Sequence, residues 1–187
     1  MRVIGGTARG TKLNSIDELS TRPTLDRVKE SLFNIINEKI QESIILDLFA
    51  GSGAIGIEFL SRGCKNAYLC DKSNKAIDMI FQNLKKTRLE ENAKVLNVDY
   101  KKCLQDLASK GITFDIIYID PPYKEDIAVK SVEMILSLKI LKKEGIIIIE
   151  TDEKEREFEK LKDLDIEVYD CRKYGRANLI FLKLKGA

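Results

Sequence analysis

The chain has 187 residues, of which 44% are hydrophobic and 33% charged, with a formal net charge of +2; these values are typical of one soluble globular domain. It contains no histidine, which excludes Ser-His-Asp triads, Cys-His dyads and histidine metal sites, so acid–base chemistry must use carboxylates, lysine, tyrosine, cysteine or the substrate. No apolar stretch approaches the ~20 residues of a membrane-spanning helix.

The first predicted elements form an N-terminal extension. Residues 5–10 are a glycine-rich turn between the short segments 2–4 and 11–13, which predicts a small hairpin or arm. We expect a polar loop over 14–21. A helix then begins at Pro23, because apolar residues recur at three- and four-residue steps. These residues are Leu25, Val28, Leu32, Ile35, Ile36 and Ile40.

After this extension, short apolar strands alternate with helical patterns. The predicted strands are 44–49, 67–70, 94–98, 114–119, 145–150, 166–169 and 179–184. The predicted helices are 54–61, 74–87, 101–109, 126–138 and 153–162. The alternation predicts parallel strands with right-handed crossovers, whereas the short link between the last two strands predicts antiparallel pairing. We therefore predict an α/β fold with a doubly wound seven-stranded sheet and an antiparallel last strand. We expect a single domain over 1–187, with an extension (1–42) and a core (43–187).

A glycine turn follows the first strand of the core. Residues 51–56, Gly-Ser-Gly-Ala-Ile-Gly, match G-x-G-x-x-G after a strand and at the start of a helix. Asp71 lies twenty residues after Gly51, at the end of the second core strand, where a carboxylate can accept both hydroxyls of a ribose. Together these features predict an adenosine-type cofactor but do not choose which one.

Asp47, four positions before Gly51, argues against NAD. The helix N-terminus would hold a pyrophosphate in an NAD site, and two unit charges ~4 Å apart interact by about 4 kcal/mol at an effective dielectric constant of roughly 20. S-adenosylmethionine carries a sulfonium and an ammonium and no phosphate. We therefore interpret Asp47 as a partner of the methionine amino group, directly or through water. The alternative is that Asp47 only caps backbone groups of the turn.

Asp99 ends the third core strand and could accept a hydrogen bond from the adenine amino group. It could equally cap the helix that begins at Lys101, and both roles can hold together.

Two of the three prolines lie in the turn Asp120-Pro121-Pro122-Tyr123. Successive prolines remove two backbone donors and stiffen the turn, so its carbonyls and the Asp120 carboxylate offer acceptors to an NH2 group. Tyr123 offers a flat face for stacking a nucleobase. Acceptors that hold the amine hydrogens also stabilise the positive charge that develops during methylation. The motif predicts methyl transfer to an exocyclic amine; the alternative is an ordinary turn after a strand.

Two motifs, residues 47–53 and 120–123, resemble those of Rossmann-like, class I, S-adenosylmethionine-dependent amino-methyltransferases. The N-terminal segments resemble one family more specifically, the RsmD family, which methylates N2 of a guanine in 16S ribosomal RNA. These segments are 2–6, 9–10, 22–24, 26–28 and 31–34. The resemblance extends from residue 2 to about 184. It implies S-adenosylmethionine as cofactor, S-adenosylhomocysteine as product, and 16S rRNA in the small subunit or an assembly intermediate as partner.

The resemblance also implies roles for matching positions. The residues implied to bind the cofactor are Asp47, Phe49, Ala50, Gly51, Ser52, Gly53, Asp71, Lys72, Ser73, Asp99 and Tyr100. The residues implied to hold the guanine for catalysis are Asp120, Pro121, Pro122 and Tyr123. No metal is implied.

Charge is distributed unevenly along the chain. Residues 1–14 and 171–187 contain bases and no acid, whereas 150–170 contain ten acids and four bases. Such an uneven distribution of charge suits a polyanionic partner. Only residues 1–42 lie outside the core, which is too few for a separate target-recognition domain. Recognition must therefore depend on the structure of the substrate itself, as it can for a folded RNA. We predict phosphate contacts from Arg2, Arg9, Lys12, Arg22, Arg27, Arg172, Lys173 and Arg176. The resemblance also implies an RNA contact for Thr24; the alternative is that Thr24 only caps the helix that begins beside it.

Three other functions stay open. A DNA adenine-N6 methyltransferase would use residues 120–123 equally well, although a target-recognition domain is missing. An NAD-dependent oxidoreductase fits the glycine turn, and a binding protein could use the fold without catalysis.

The four cysteines form no Cys-x-x-Cys pair and residues 1–6 contain no signal-peptide core, which predicts a cytoplasmic protein with no membrane partner.

Overall fold

Seven strands and six α-helices make up the computed structural model, which describes residues 1–16, 23–122 and 126–187, without the side chains of 23–25. The strands are β1 (Ile44–Asp47), β2 (Asn66–Asp71), β3 (Ala93–Asn97), β4 (Phe114–Ile119), β5 (Leu141–Thr151), β6 (Ile166–Tyr174) and β7 (Ala177–Leu184). The helices are α1 (Pro23–Ile35), α2 (Ala54–Ser61), α3 (Asn74–Thr87), α4 (Tyr100–Ser109), α5 (Ile127–Leu138) and α6 (Lys154–Leu161). Among the described residues, none of the helices has the length and apolar character needed to cross a membrane.

The strands form one sheet in the order β3-β2-β1-β4-β5-β7-β6. Strands β1 to β5 run parallel, whereas β7 pairs antiparallel with both β5 and β6. The predicted doubly wound sheet with an antiparallel last strand is therefore confirmed. The chain moves outward from β1 to β3 on one side and from β4 to β5 on the other. The carboxyl ends of β1 and β4 consequently flank the crevice where such sheets bind ligands.

Each face of the sheet has its own apolar core, because successive strand residues point to opposite faces. Ile45 faces the core formed with helices α1, α2 and α3, and the next residue, Leu46, faces the core formed with α4, α5 and α6. The central strands are buried on both faces, which explains their continuous apolar runs. Among the polar side chains of these strands, Asp47 of β1 and Glu150 of β5 lie at the carboxyl ends.

The C-terminal hairpin is longer than the sequence predicts. Strands β6 and β7 extend to a two-residue turn of Gly175 and Arg176, where the prediction has a link of about eight residues. Gly175 has φ +61°, a conformation that glycine adopts without strain. Strand β7 lies between β5 and β6, so β6 is the edge strand and most of its side chains are exposed.

Helix α1 begins at Pro23, as predicted, but ends at Ile35, and a 3₁₀ helix over Asn37–Lys39 follows. Ile36 and Ile40 are still buried, whereas Ile35 is 39% exposed, so its predicted place on the apolar face is wrong. The tighter 3₁₀ turn changes the phase of the apolar face. Residues 17–21 of the predicted loop, residue 22 and the side chain of Leu25 lie outside the described residues.

The first thirteen residues fold back on themselves around an antiparallel bridge between Arg2 and Lys12. Val3 N donates to Thr11 O at 2.9 Å, and both Val3 and Leu13 are buried in the core beside α1 and α2. Gly6 allows this close packing, because it has φ +76° and a Cβ there would lie 1.7 Å from Ser61 O at the end of α2.

Candidate cofactor and substrate site

Two adjoining cavities lie at the carboxyl ends of the parallel strands. The larger cavity, of about 610 Å³, lies against the ends of β2, β3 and β4, and the smaller, of about 210 Å³, lies between the ends of β1, β4 and β5 and helix α1. Phe49, Gly51 and Asp120 line both cavities. The position agrees with the crevice expected from the strand order.

The predicted glycine turn links β1 to α2. Gly53 occupies the N-cap of α2 with φ +81°, and its N–H donates to Ala50 O at 2.8 Å, which closes the turn. Ala50 and Ser52 line the smaller cavity with Gly51, whereas Gly53 lies behind the turn and lines neither cavity. Among these predicted cofactor residues, Gly51 is therefore the one that faces both spaces.

Asp71 connects the glycine turn to the loop that follows β2. Its Oδ2 accepts from Gly51 N and its Oδ1 from Ser73 N, each at 2.9 Å. A carboxylate has about four acceptor positions, so Asp71 retains acceptor capacity toward the larger cavity, which it lines with Lys72. Ser73 instead caps α3, because its Oγ accepts from Ala76 N at 3.3 Å. The predicted ribose contact of Asp71 is compatible with this geometry and stays a prediction.

Asp47 is 1% exposed at the end of β1, and its Oδ2 accepts from Gly56 N at 3.1 Å. The backbone-capping role that the sequence leaves open is therefore present. Burial, and secondarily the charge of Asp71, raise the pKa of Asp47 to about 7. Asp47 also lines the smaller cavity, where a cation would favour its ionised form.

Asp99 and Tyr100 lie at the far side of the larger cavity. Asp99 is exposed and caps α4, since its Oδ1 accepts from Lys101 N at 2.9 Å. Tyr100 is largely buried and packs against Phe49, with ring centroids 5.5 Å apart. These contacts give one wall of the larger cavity an aromatic surface.

The Asp120-Pro121-Pro122 turn forms the wall between the two cavities. Asp120 lines both, and the two prolines line the larger one. Burial raises the pKa of Asp120 well above its ordinary value, and the charges of Glu150 and Asp47 raise it further. Tyr123, the predicted stacking residue, lies outside the described residues.

Two polar residues of this site were not predicted from the sequence. The Tyr118 hydroxyl donates a hydrogen bond to Glu150 Oε2, and both residues line the smaller cavity. Tyr118 lies near the end of β4, two positions before Asp120, which follows the strand, and Glu150 interrupts the apolar run of β5 near its carboxyl end. The i, i+2 spacing and the break in the run were the signals available in the sequence.

A buried ion pair beside the smaller cavity was also not predicted from the sequence. Glu58 of α2 is 0% exposed, and its carboxylate accepts from Ile4 N at 2.9 Å and Gly5 N at 2.8 Å. Lys29 Nζ lies 3.2 Å from Glu58 and donates to Arg2 O at 2.5 Å, and Arg62 Nε lies 2.8 Å from Glu58. Burial lowers the pKa of Lys29 despite the nearby Glu58 charge. This network holds the first residues of the chain against α1 and α2.

The predicted RNA-contacting residues lie on two separate parts of the surface, and among those described none lines either cavity. Arg2, Arg9, Lys12 and Arg27 are exposed on the N-terminal extension. Lys173 and Arg176 line a different cleft together with the acids Asp152 and Glu155, and Arg172 lies 3.1 Å from Asp170. Arg22 and the side chain of Thr24 lie outside the described residues.

Comparisons with known proteins show a consistent relationship. The family described as "Conserved hypothetical protein 95" matches residues 1–183. A putative rRNA methyltransferase, YlbH of Bacillus subtilis (strain 168), is 37% identical over 186 residues, covering 100% of each chain. Ribosomal RNA small subunit methyltransferase D of Escherichia coli (strain K12) is 36% identical over 152 residues, covering 81% of this chain and 75% of that protein.

The solved structures agree. A putative methyltransferase from Escherichia coli, yhhF, superposes with a TM-score of 0.81 at 28% identity, covering 100% of this chain and 99% of that one. The methyltransferase fold expected from the resemblance is therefore confirmed.

Proposed function

Since the chain belongs to the Conserved hypothetical protein 95 family, the RsmD family of ribosomal RNA methyltransferases, we propose that it methylates the exocyclic N2 amine of a guanine in 16S rRNA. S-adenosylmethionine is the methyl donor in this proposal. The RNA is presented by the small ribosomal subunit or by one of its assembly intermediates. All four cysteines are free thiols, which suits a cytoplasmic site of action.

The carboxylates around the two cavities suit a cationic cofactor. Asp71 borders the larger cavity, Asp47 borders the smaller one, and Asp120 borders both. Asp71 would take the ribose, and the glycine turn with Asp47 would hold the methionine end. When bound, S-adenosylmethionine supplies a methyl group on a positively charged sulfur. A pyrophosphate would instead meet the buried carboxyl of Asp47, whose ionisation it would oppose.

Asp120 supplies the observation that carries this proposal, because it is the carboxyl shared by both cavities. An amine presented in the smaller cavity would meet its carboxyl at the boundary with the cofactor space. Asp120 would accept an amine hydrogen and orient the nitrogen lone pair toward the methyl group. Its carboxyl would also stabilise the positive charge that develops on the nitrogen.

The N-terminal extension forms part of the same site in this proposal. Lys29 and Leu32 of α1 line the smaller cavity opposite Asp120. The Glu58 network ties Arg2, Ile4 and Gly5 to this wall. Residues 1–42 and the core 43–187 therefore act as one domain, with the extension bordering the entrance for RNA.

Identification of the methylated product tests the proposal. The protein is incubated with isotopically labelled S-adenosylmethionine and, separately, with unmodified small ribosomal subunits, protein-free 16S rRNA or duplex DNA. Labelled nucleosides are then identified by mass spectrometry. We expect N2-methylguanosine from ribosomal RNA and no labelled product in parallel reactions with Asp120→Ala. N6-methyladenine from DNA would overturn the proposed substrate while preserving the reaction type.

A further inference from the structure

Three polar side chains meet on one face of the sheet at the smaller cavity. The register of β4 and β5 pairs Tyr118 with Ile148 and Ile119 with Ile149, so Asp120 follows opposite Glu150. Tyr118, Asp120 and Glu150 consequently project to the face that α1 covers. Val28 and Leu32 of α1 give this cavity an apolar wall. The arrangement suits a planar base that inserts its polar edge between the strand ends.

Glu150 is held in a defined orientation at this cavity. The hydroxyl of Tyr118, which is 2% exposed, donates to Oε2. Burial raises the pKa of Glu150, and the hydrogen bond from Tyr118 opposes that rise because it stabilises the ionised carboxylate. Asp47 and Asp120 are the other carboxyls that line this cavity, and Lys29, a basic side chain of the same lining, is engaged with Glu58 and Arg2 O. Glu150 is therefore an oriented acceptor beside Asp120.

The two candidate bases present different edges to such an acceptor. Guanine has two adjacent donors, N1–H and the N2 amine, whereas adenine has an acceptor, N1, beside its N6 amine. A base extruded from its helix is recognised through this Watson–Crick edge. A carboxylate can accept both guanine donors at once, as it does with the parallel donors of arginine. The same carboxylate would face the lone pair of adenine N1, which disfavours adenine.

We propose that Glu150 is the residue that selects guanine, by accepting the N1–H and one N2–H while Asp120 accepts the second N2–H. The inference rests on the proposed function and assigns it a source of base specificity. Tyr118 is a positioning residue in this scheme, because it acts through Glu150. Asp120 alone would serve the amines of guanine and adenine equally well.

A change in the substrate base tests this assignment without altering the protein. The target guanosine, located by mass spectrometry of the methylated RNA, is replaced by 2-aminopurine riboside through splinted ligation of 16S rRNA, which is then assembled into small subunits. This base keeps the N2 amine and loses the N1–H. We expect kcat/KM to fall at least ~10-fold, because a buried acceptor is left without its donor. Equal kcat/KM on the two bases would overturn the inference.

The Glu150→Gln variant provides the second part of this test. We expect kcat/KM on the guanosine substrate to fall ~10- to 100-fold and that on the 2-aminopurine substrate to change less than ~3-fold, because only the former uses both acceptors. Tyr118→Phe should shift the same ratio in the same direction by a smaller factor. Glu144→Gln, an exposed residue on the same strand, is the matched control and should leave both values unchanged.

These experiments distinguish a failure of the specificity role of Glu150 from a failure of the proposed function. Equal losses on both substrates in Glu150→Gln would overturn the specificity role, whatever the size of the loss. If the wild-type protein forms no N2-methylguanosine in any ribosomal RNA substrate, the proposed function itself fails. S-adenosylmethionine affinity measured by calorimetry serves as the check on folding and should stay within ~3-fold of wild type, because Glu150 contacts the base and not the cofactor in this scheme.

Discussion

Asp71 and Asp120 are both carboxylates at strand ends, but their surroundings differ. Asp71 holds the backbone of Gly51 and Ser73, whereas Asp120 faces the carboxyls of Glu150 and Asp47. Asp71 therefore organises the cofactor space. Asp120 lies where positive charge on a substrate would be stabilised.

This difference predicts a division of labour between the two residues. Asp71→Ala should weaken S-adenosylmethionine binding about 10- to 100-fold, because two backbone donors and the ribose lose their acceptor. Asp120→Ala should lower kcat at least ~100-fold and leave cofactor affinity within a few-fold. Titration calorimetry and steady-state kinetics measure the two quantities. Loss of both properties to the same extent in both variants would contradict the assignment.

The buried carboxyl of Asp47 leads to a second prediction, which concerns how stability and cofactor affinity depend on pH. Its pKa is raised from 3.8 to about 7, so the folded protein binds more protons than the unfolded chain between these values, and Asp47 destabilises the fold progressively as pH rises through that window. A cofactor cation beside Asp47 binds better once the carboxyl is ionised. S-adenosylmethionine affinity should therefore increase ~10-fold from pH 5.5 to pH 7, with release of a proton.

The matched variant is Asp47→Asn, which keeps an acceptor for Gly56 N–H and cannot ionise. Its affinity should change less with pH than that of the wild type, since Asp120 is then the buried carboxyl left to titrate at the boundary of the cofactor space. Calorimetry in buffers of different ionisation enthalpy counts the protons released. An identical pH profile in both proteins would show that Asp47 is not linked to binding.

Whether a contact between two residues can be predicted from the sequence depends on how far apart the two residues lie along the chain. Asp71 was predicted correctly as the last residue of its strand, whereas Asp99 lies two residues beyond β3, where it has the capping role that the sequence also predicts. The contact between Tyr118 and Glu150 joins residues 32 positions apart, and that between Ile4 and Glu58 joins residues 54 apart. Neither follows from local periodicity, because each depends on how β4 pairs with β5 or how the extension packs on α2.

At the scale of elements, the buried carboxylate of Glu58 links the N-terminal extension to helices α1 and α2. Glu58→Ala would leave the buried Lys29 without its counter-charge and the amides of Ile4 and Gly5 without their acceptor. Removing one partner of a buried pair typically costs about 3–5 kcal/mol. We expect a loss of that order in the free energy of unfolding, measured by urea denaturation.

Glu133→Ala is the matched control for Glu58, because Glu133 is an exposed glutamate on α5. Its unfolding free energy should change by less than ~0.5 kcal/mol. A loss below about 1 kcal/mol in Glu58→Ala would mean that the extension is held chiefly by its apolar contacts through Val3 and Leu13.

Element boundaries show where local patterns stop being sufficient. Helices α2 and α3 and strand β4 have the bounds predicted from their apolar spacing. Strand β6 is longer than predicted, because an edge strand carries polar residues such as Arg172 and Lys173 on both faces and lacks a clear alternation. Helix α1 is shorter than predicted, since a 3₁₀ turn brings Ile36 and Ile40 into the core.

At the scale of the whole molecule, the position of basic residues relative to the sheet edges decides which can meet an RNA at the site. Strand β6 runs parallel to β5, so the turn after Lys173 lies at the same edge as the ends of β1, β4 and β5. Arg176 occupies that turn. Lys65, before β2, and Lys110, after α4, lie at the opposite edge.

The last prediction compares these two edges. Lys173→Ala with Arg176→Ala should weaken RNA binding and reduce the slope of log K against log salt by about one to two, since each lost phosphate contact removes ~0.7–0.9. S-adenosylmethionine affinity should stay unchanged, because neither residue lines the cofactor cavity. Lys65→Ala with Lys110→Ala removes the same net charge from the far edge and should leave the slope unchanged. If both double variants reduce it equally, RNA is attracted by net charge rather than guided to the carboxyl edge of the sheet.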